Sequence, residues 1–220
     1  NRRVVVKADI ETIGDARKVA TQFYDQLGRV RLSKTLEDAA TQNETNETDG
    51  IKVQTRYLIS GNYTYQLSSN PYRANYSYNA GAEESMGWTR SKTINTGNHS
   101  EVETFAGATL PQPFLTSGYN TNSTGKVQTD TDADRILVTD QAGKQRISRT
   151  NALGQLKDVW EITTQDSWTS SVTFPNQSLA YGYQTSYSYD ILNNLTTVNQ
   201  GSQTRSFSYS SLSRLTSAAN

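Results

Sequence analysis

The chain has 220 residues, 34% hydrophobic and 19% charged, and its 21 basic and 21 acidic side chains leave a formal charge of zero. Balanced charge gives no field to steer it onto nucleic acid or an anionic membrane. The lack of cysteine removes disulfides, thiol catalysis and zinc–thiolate sites together.

Much of the polar remainder is Ser, Thr, Asn and Gln, and it stands beside 13 Tyr. That mixture suits a pleated, half-exposed sheet better than a helix, so an all-β fold is expected. No apolar run approaches the roughly 20 residues of a membrane-spanning helix. The chain opens on Asn1 with no secretory leader pattern, so it reads as one internal fragment, 1–220, of a larger polypeptide.

In chain order, the first ambiguous stretch is Asp15 to Tyr24, where Ala16, Val19, Ala20 and Phe23 fall at helical spacing. The alternation Val19, Thr21, Phe23 competes, and the strand reading is preferred because it completes a hairpin. That hairpin is Phe23-Tyr24-Asp25-Gln26-Leu27-Gly28-Arg29-Val30, in which β-formers flank a short punctuation from Asp25 to Gly28. Asp38 to Gly50 is nearly free of apolar residues and reads as a long loop. Strands are expected at Ile51 to Leu58, Tyr63 to Leu67 and Tyr72 to Tyr78, and a second long loop at 110–131, which holds Pro111, Pro113, Gly118 and Gly125.

The hairpin frame then returns at Thr139-Asp140-Gln141-Ala142-Gly143-Lys144 and at Thr150-Asn151-Ala152-Leu153-Gly154-Gln155-Leu156. Strand-like stretches follow at Val159 to Thr164, Ser171 to Phe174 and Tyr181 to Tyr189. A fourth copy is Tyr189-Asp190-Ile191-Leu192-Asn193-Asn194-Leu195, and an eroded fifth is Tyr209-Ser210-Ser211-Leu212-Ser213-Arg214-Leu215. Tyr189 and Tyr209 are 20 residues apart, a period that marks an array.

Each position in the frame has a physical task. Asp or Asn at the start of the turn accepts a hydrogen bond from the backbone N–H two residues on, and Gly three residues later takes positive φ without a Cβ clash. A type I turn followed by a left-handed residue matches the twist of the strands it joins. Asn193 tolerates that conformation better than most residues, and Ser213 fits it less well. The apolar residue before the Gly position (Leu27, Ala142, Leu153, Leu192, Leu212) is expected to fold back onto the sheet.

The frames resemble the YD repeat of Rhs proteins, whose usual form is Tyr-Asp-x-x-Gly-Arg-Leu. The resemblance covers the first hairpin and roughly the last 80 residues. It departs from the pattern at Thr139, Thr150, Gln145, Asn193 and Ser213. It implies a β-strip that spirals into a hollow shell, as in bacterial Rhs toxins, the B and C components of toxin complexes, and teneurins. Such a shell encloses a toxic domain or presents an adhesive surface. The implied partners are the rest of the same polypeptide, with further repeats and an enclosed toxin domain, and the implied location is secreted or cell-surface.

Little in the sequence points to chemistry, and no catalytic residue, cofactor or metal ligand is assigned. His99 is the only histidine, lies among polar residues and reads as an ordinary surface residue. Asp130-x-Asp132-x-Asp134 has the opening spacing of a calcium loop, but Arg135 and Gln141 stand where Gly and Glu are required, so it reads as a solvated acidic turn. Glu83 and Glu84 are adjacent, so on a strand they would face opposite ways and not share a substrate. The eight Asn-x-Ser/Thr sequons are what chance gives in a chain so rich in Asn and Thr. The competing reading is a cell-surface or carbohydrate-binding module using exposed Tyr and Trp, with Trp88, Trp160 and Trp168 as its platform.

Overall fold

The computed structural model describes residues 2–9, 13, 18–73, 86–162 and 182–220. All regular structure among them is β-strand, and strands that are neighbours in the chain are neighbours in the sheet. The chain divides into two compact units, Asn1–Lys126 and Val127–Asn220.

In the first unit the strands are β1 (Arg3–Ala8), β2 (Lys18–Tyr24), β3 (Val30–Thr35), β4 (Ile51–Ser60), β5 (Tyr63–Ser69), β6 (Gly87–Ile94) and β7 (His99–Ala106). The next strand, β8 (Ser123–Asp132), continues past Lys126. The second unit holds β9 (Arg135–Thr139), β10 (Gln145–Thr150), β11 (Leu156–Ile162), β12 (Tyr183–Tyr189), β13 (Leu195–Gln200), β14 (Gln203–Tyr209) and β15 (Leu215–Ala219).

The strand pairings described are antiparallel, as expected where two-residue and four-residue turns join successive strands. Ser60 faces Tyr63 across Gly61 and Asn62, Asp132 faces Arg135 across Ala133 and Asp134, and Gln200 faces Gln203 across Gly201 and Ser202. Gly61, Ala133 and Gly201 hold φ of 58°, 54° and 58°, the left-handed start that such tight turns require.

The alternation at Val19, Thr21 and Phe23 is that of a strand, with all three buried on one face of β2. Leu36 to Gly50 is a loop, as the composition indicates. Gly50 closes it at φ 76°, where a Cβ would lie 2.5 Å from the Thr35 carbonyl oxygen. The second expected loop is shorter than 110–131, because Ser123–Thr131 belong to β8. The expected strand at Tyr72 to Tyr78 is described only to Arg73, and Tyr72 makes an isolated bridge to Lys52. The expected strand at Ser171 to Phe174 lies outside the described residues, as do Thr163 and Thr164 of the stretch before it.

The core of the first unit is Leu67, Tyr72, Met86, Trp88 and Phe105, with Ala108, Leu110 and Phe114 packed against it. The second unit has a smaller cluster, Leu137 and Ile147 with Trp160 and Ile162.

Candidate functional site

Five chain segments share one turn. In the first, the Gly28 N–H donates to the Asp25 carbonyl at 3.1 Å, and the Asp25 N–H donates to the Arg29 carbonyl at 2.8 Å. The same pair of bonds recurs in the turns that begin at Asp140, Asn151, Asp190 and Ser210. The fourth residue of each is left-handed, with φ of 79° at Gly28, 74° at Gly143, 77° at Gly154, 67° at Asn193 and 57° at Ser213.

The side chain at the start of each turn does more than bond the N–H two residues on. Asp25 Oδ1 accepts from both Leu27 and Arg29 N–H at 2.9 Å, and Asp140, Asn151 and Asp190 repeat this double bond at 2.8–3.0 Å. In the eroded copy Ser210 Oγ takes over the same role at 3.4 and 3.3 Å, so the geometry survives with weaker bonds. The Arg29 backbone N–H and guanidinium hold the Asp25 carboxyl below the usual carboxylate range. The Asn194 side-chain amide and backbone N–H, with that of Leu192, do the same for Asp190.

One expectation is overturned. The apolar residue before the Gly position does not fold back: Leu27, Leu153, Leu192 and Leu212 are exposed, Leu153 to 83%, and Ala142 is exposed with them. The carboxylate or amide already ties down the loop backbone, and the left-handed residue aims the side chain before it off the end of the sheet.

A further regularity was not read from the sequence. Next to four of the turns the ladder slips by one residue, between Phe23 and Tyr24, Arg149 and Thr150, Ser188 and Tyr189, and Ser208 and Tyr209. The Asp140 turn has no such bulge. In the antiparallel meander this β9–β10 turn lies at the opposite end of the strands from the β10–β11, β12–β13 and β14–β15 turns.

The structure brings the third and fourth frames into direct contact. Tyr189 Oη donates to the Leu156 carbonyl at 2.9 Å, and the Gln155 side-chain amide donates to Asn193 Oδ1. Burial, and to a lesser degree Tyr187, raises the Tyr189 phenol. In the first unit Tyr57 of β4 does what Tyr189 does, donating at 3.2 Å to the Val30 carbonyl, which holds the same place in its frame as Leu156. Arg29 bonds Asp25 Oδ2 and stacks 4.4 Å from the Tyr57 ring centre. Tyr24 Oη donates to Gln22 instead. Arg214 and Tyr209 belong to the outermost hairpin, where Arg214 closes the turn through its backbone.

Beside the first turn, Asp25, Arg29, Arg31, Arg56, Tyr57 and Phe114 line an open cleft of about 340 Å³. Arg29 is paired with Asp25 and Arg31 with Glu47, whose carboxyl the Arg31 hydrogen bonds hold low. The cleft therefore gathers Arg29 and Arg31 with their charges met by Asp25 and Glu47.

The loop Leu36–Gly50 covers a polar layer. Lys34 and Lys52, 2% and 0% exposed, lie opposite one another, and Thr21 and Gln54 are buried in the same unit. Lys34 Nζ donates to the Asn43 and Asn46 carbonyls, and Lys52 Nζ to those of Thr48 and Arg73. Burial pushes the Lys34 ammonium down, and Lys52 adds to this.

His99 is not a bare surface residue: on β7 its Nε2 lies 3.2 Å from Glu101 Oε1, with both side chains largely covered. Burial alone would raise Glu101, but the His99 hydrogen bond and the Lys92 ammonium outweigh it and hold the carboxyl low. The three aspartates of the acidic turn do not converge. Asp132 pairs with Arg135, Asp134 lies 3.7 Å from Arg149, and Asp130 is buried on β8.

Among the described residues no group of three or more His, Asp or Glu side chains is placed to hold a metal ion, and no helix is long and apolar enough to cross a membrane. Trp88 is 2% exposed and spent on the core, its indole N–H donating to the Ala108 carbonyl. Trp160 packs on Leu137 and Ile147. Trp168, Glu83 and Glu84 lie outside the described residues. The sequence matches no protein-family model, and no curated protein is found to be similar to it.

Proposed function

We propose that this chain is a wall segment of a YD-repeat array akin to the Rhs proteins, serving to enclose or present another part of a larger secreted polypeptide. The observation that carries this reading is the recurrence of one turn geometry five times on strands laid down in chain order. Its supports are the contacts that tie one frame to the next, Tyr189 to Leu156 and Gln155 to Asn193. Containment is the mechanism. Each hairpin covers the edge of the one before it, so few backbone groups stay open to an intruding strand or a protease.

The test is to purify the native polypeptide carrying this chain, image it by cryo-electron microscopy, and challenge it with protease. The expected result is a hollow particle with a segment cleaved only after the particle is opened. A solid or extended particle with every segment equally cleavable overturns the reading.

A further inference from the structure

In the first unit the β3–β4 ladder runs from Thr35 opposite Ile51 to Leu32 opposite Gln54 and stops there, while β4 goes on beside β5 as far as Ser60. The open cleft of about 340 Å³ lies where the two strands part. Asp25, Arg29 and Arg31 line it from the β3 side, Thr55 to Leu58 from β4, and Pro113 and Phe114 from the segment after β7. Its volume falls at the low end of the roughly 300–1,000 Å³ of ligand sites, enough for one ring-sized body.

Arg29 is fixed in this cleft before anything binds. Its Nε donates to Asp25 Oδ2 at 2.8 Å, Nη2 lies 2.8 Å from the same oxygen, and the guanidinium carbon sits 4.4 Å from the Tyr57 ring centre. The Tyr57 hydroxyl donates to the Val30 carbonyl, which holds the ring in place. The pair with Asp25 takes the side-on edge of the guanidinium and leaves its end-on edge, Nη1 with the second Nη2 hydrogen, as a two-pronged donor on a side chain still 43% exposed. Asp25 has no such reserve, since Oδ1 accepts from the Leu27 and Arg29 N–H groups and Oδ2 takes the guanidinium. The fork thus has a donor pair to offer and its carboxylate already committed, a balance that selects an anionic acceptor over a cation.

We propose that this cleft binds a small organic carboxylate, gripped bidentately by the end-on edge of Arg29, with its body against Phe114 and Pro113. Phe114 is half-buried and its ring stands edge-on to that of Tyr65 at 6.5 Å, so it presents a fixed apolar wall. A guanidinium already held by a carboxylate and an aromatic ring loses little freedom on binding, which offsets part of the cost of ordering a ligand. A sugar acid and an aromatic acid share this chemistry. The site does not depend on the shell reading.

The probes are glucuronate, benzoate, acetate and glucose, each titrated into the isotope-labelled chain and followed by NMR at the Arg29, Tyr57 and Phe114 amides and at Arg29 Nε. Glucuronate or benzoate is expected to saturate these signals at millimolar concentration, the tighter of the two telling a sugar acid from an aromatic acid. Acetate, which lacks the body, is expected to bind several-fold more weakly, and glucose, which lacks the carboxylate, not to bind. Arg29→Lys keeps the charge and the backbone bond to Asp25 but loses the fork, and is expected to weaken the tighter probe roughly tenfold. Phe114→Ala is expected to bring that probe down to the level of acetate.

Glucose binding as tightly as glucuronate, acetate binding as tightly as the larger acids, an unchanged affinity in Arg29→Lys, or no binding at all overturns the proposal. Should either variant misfold, the four probes on the parent chain still decide it.

Discussion

Ser213 holds φ 57° with a side chain that disfavours it, whereas the first three frames use glycine at this position. The left-handed region costs a non-glycine residue about 1–2 kcal/mol, part of which glycine returns as greater freedom in the unfolded chain. Ser213→Gly is therefore expected to stabilise the last hairpin by about 0.5–1 kcal/mol, read as slower exchange of the β14–β15 amides. Ser213→Val should do the opposite.

Asp190 gives a pH signature. Its carboxyl is held below the ordinary value of about 4 in the folded chain, so its contribution is complete above that value and is lost as the pH falls through the lowered one. The Asp190 resonance should titrate below a model aspartate in an NMR pH series, and Asp190→Asn should flatten the acid limb of a melting-temperature profile. Asp190→Ala should melt lower than Asp190→Asn at neutral pH, because Asn151 shows that an amide oxygen can hold the same two N–H groups. These turn residues were legible in the sequence because each does its work within five residues. The exposed leucines were misjudged because the direction of a side chain at a turn tip depends on a backbone already satisfied by its neighbour.

At the scale of elements, the link between frames depends on Tyr189. Its hydroxyl reaches the Leu156 carbonyl on the paired neighbouring strand β11, at the end where the β12–β13 ladder slips. Tyr189→Phe keeps the ring and loses one part-buried hydrogen bond, a cost of about 0.5–1.5 kcal/mol. Hydrogen exchange should report it as faster opening of the Asn151 and Asp190 turns together; if only the Asp190 turn responds, the two frames are not coupled through this residue.

Strands with clear alternation or turn punctuation were readable, as at β4, β5 and β12. β6, β7 and the first half of β8 were not, since Arg90, Lys92, Glu101 and Glu103 occupy positions that a one-faced strand would fill with apolar residues. Cross-strand ion pairs replace apolar contacts there, and such pairs are visible only once the register is known.

Across the molecule, burial is uneven. The first unit encloses Trp88 between Leu67, Tyr72, Met86 and Phe105, with a polar layer sealed under the Leu36–Gly50 loop. In the second unit burial falls away toward the end, and β15 is exposed along its whole length. Local stability follows the apolar surface removed from water, so exchange should be earliest in β14–β15 and latest in β5–β7. Trp88→Ala removes the largest side chain of the first cluster, for which the expected cost is about 3–5 kcal/mol. The loss should register as collapsed protection of β5, β6 and β7 in hydrogen-exchange mass spectrometry. If those strands keep their protection without the indole, their order comes from the backbone ladder and ion pairs, and the apolar cluster is not what holds the first unit together.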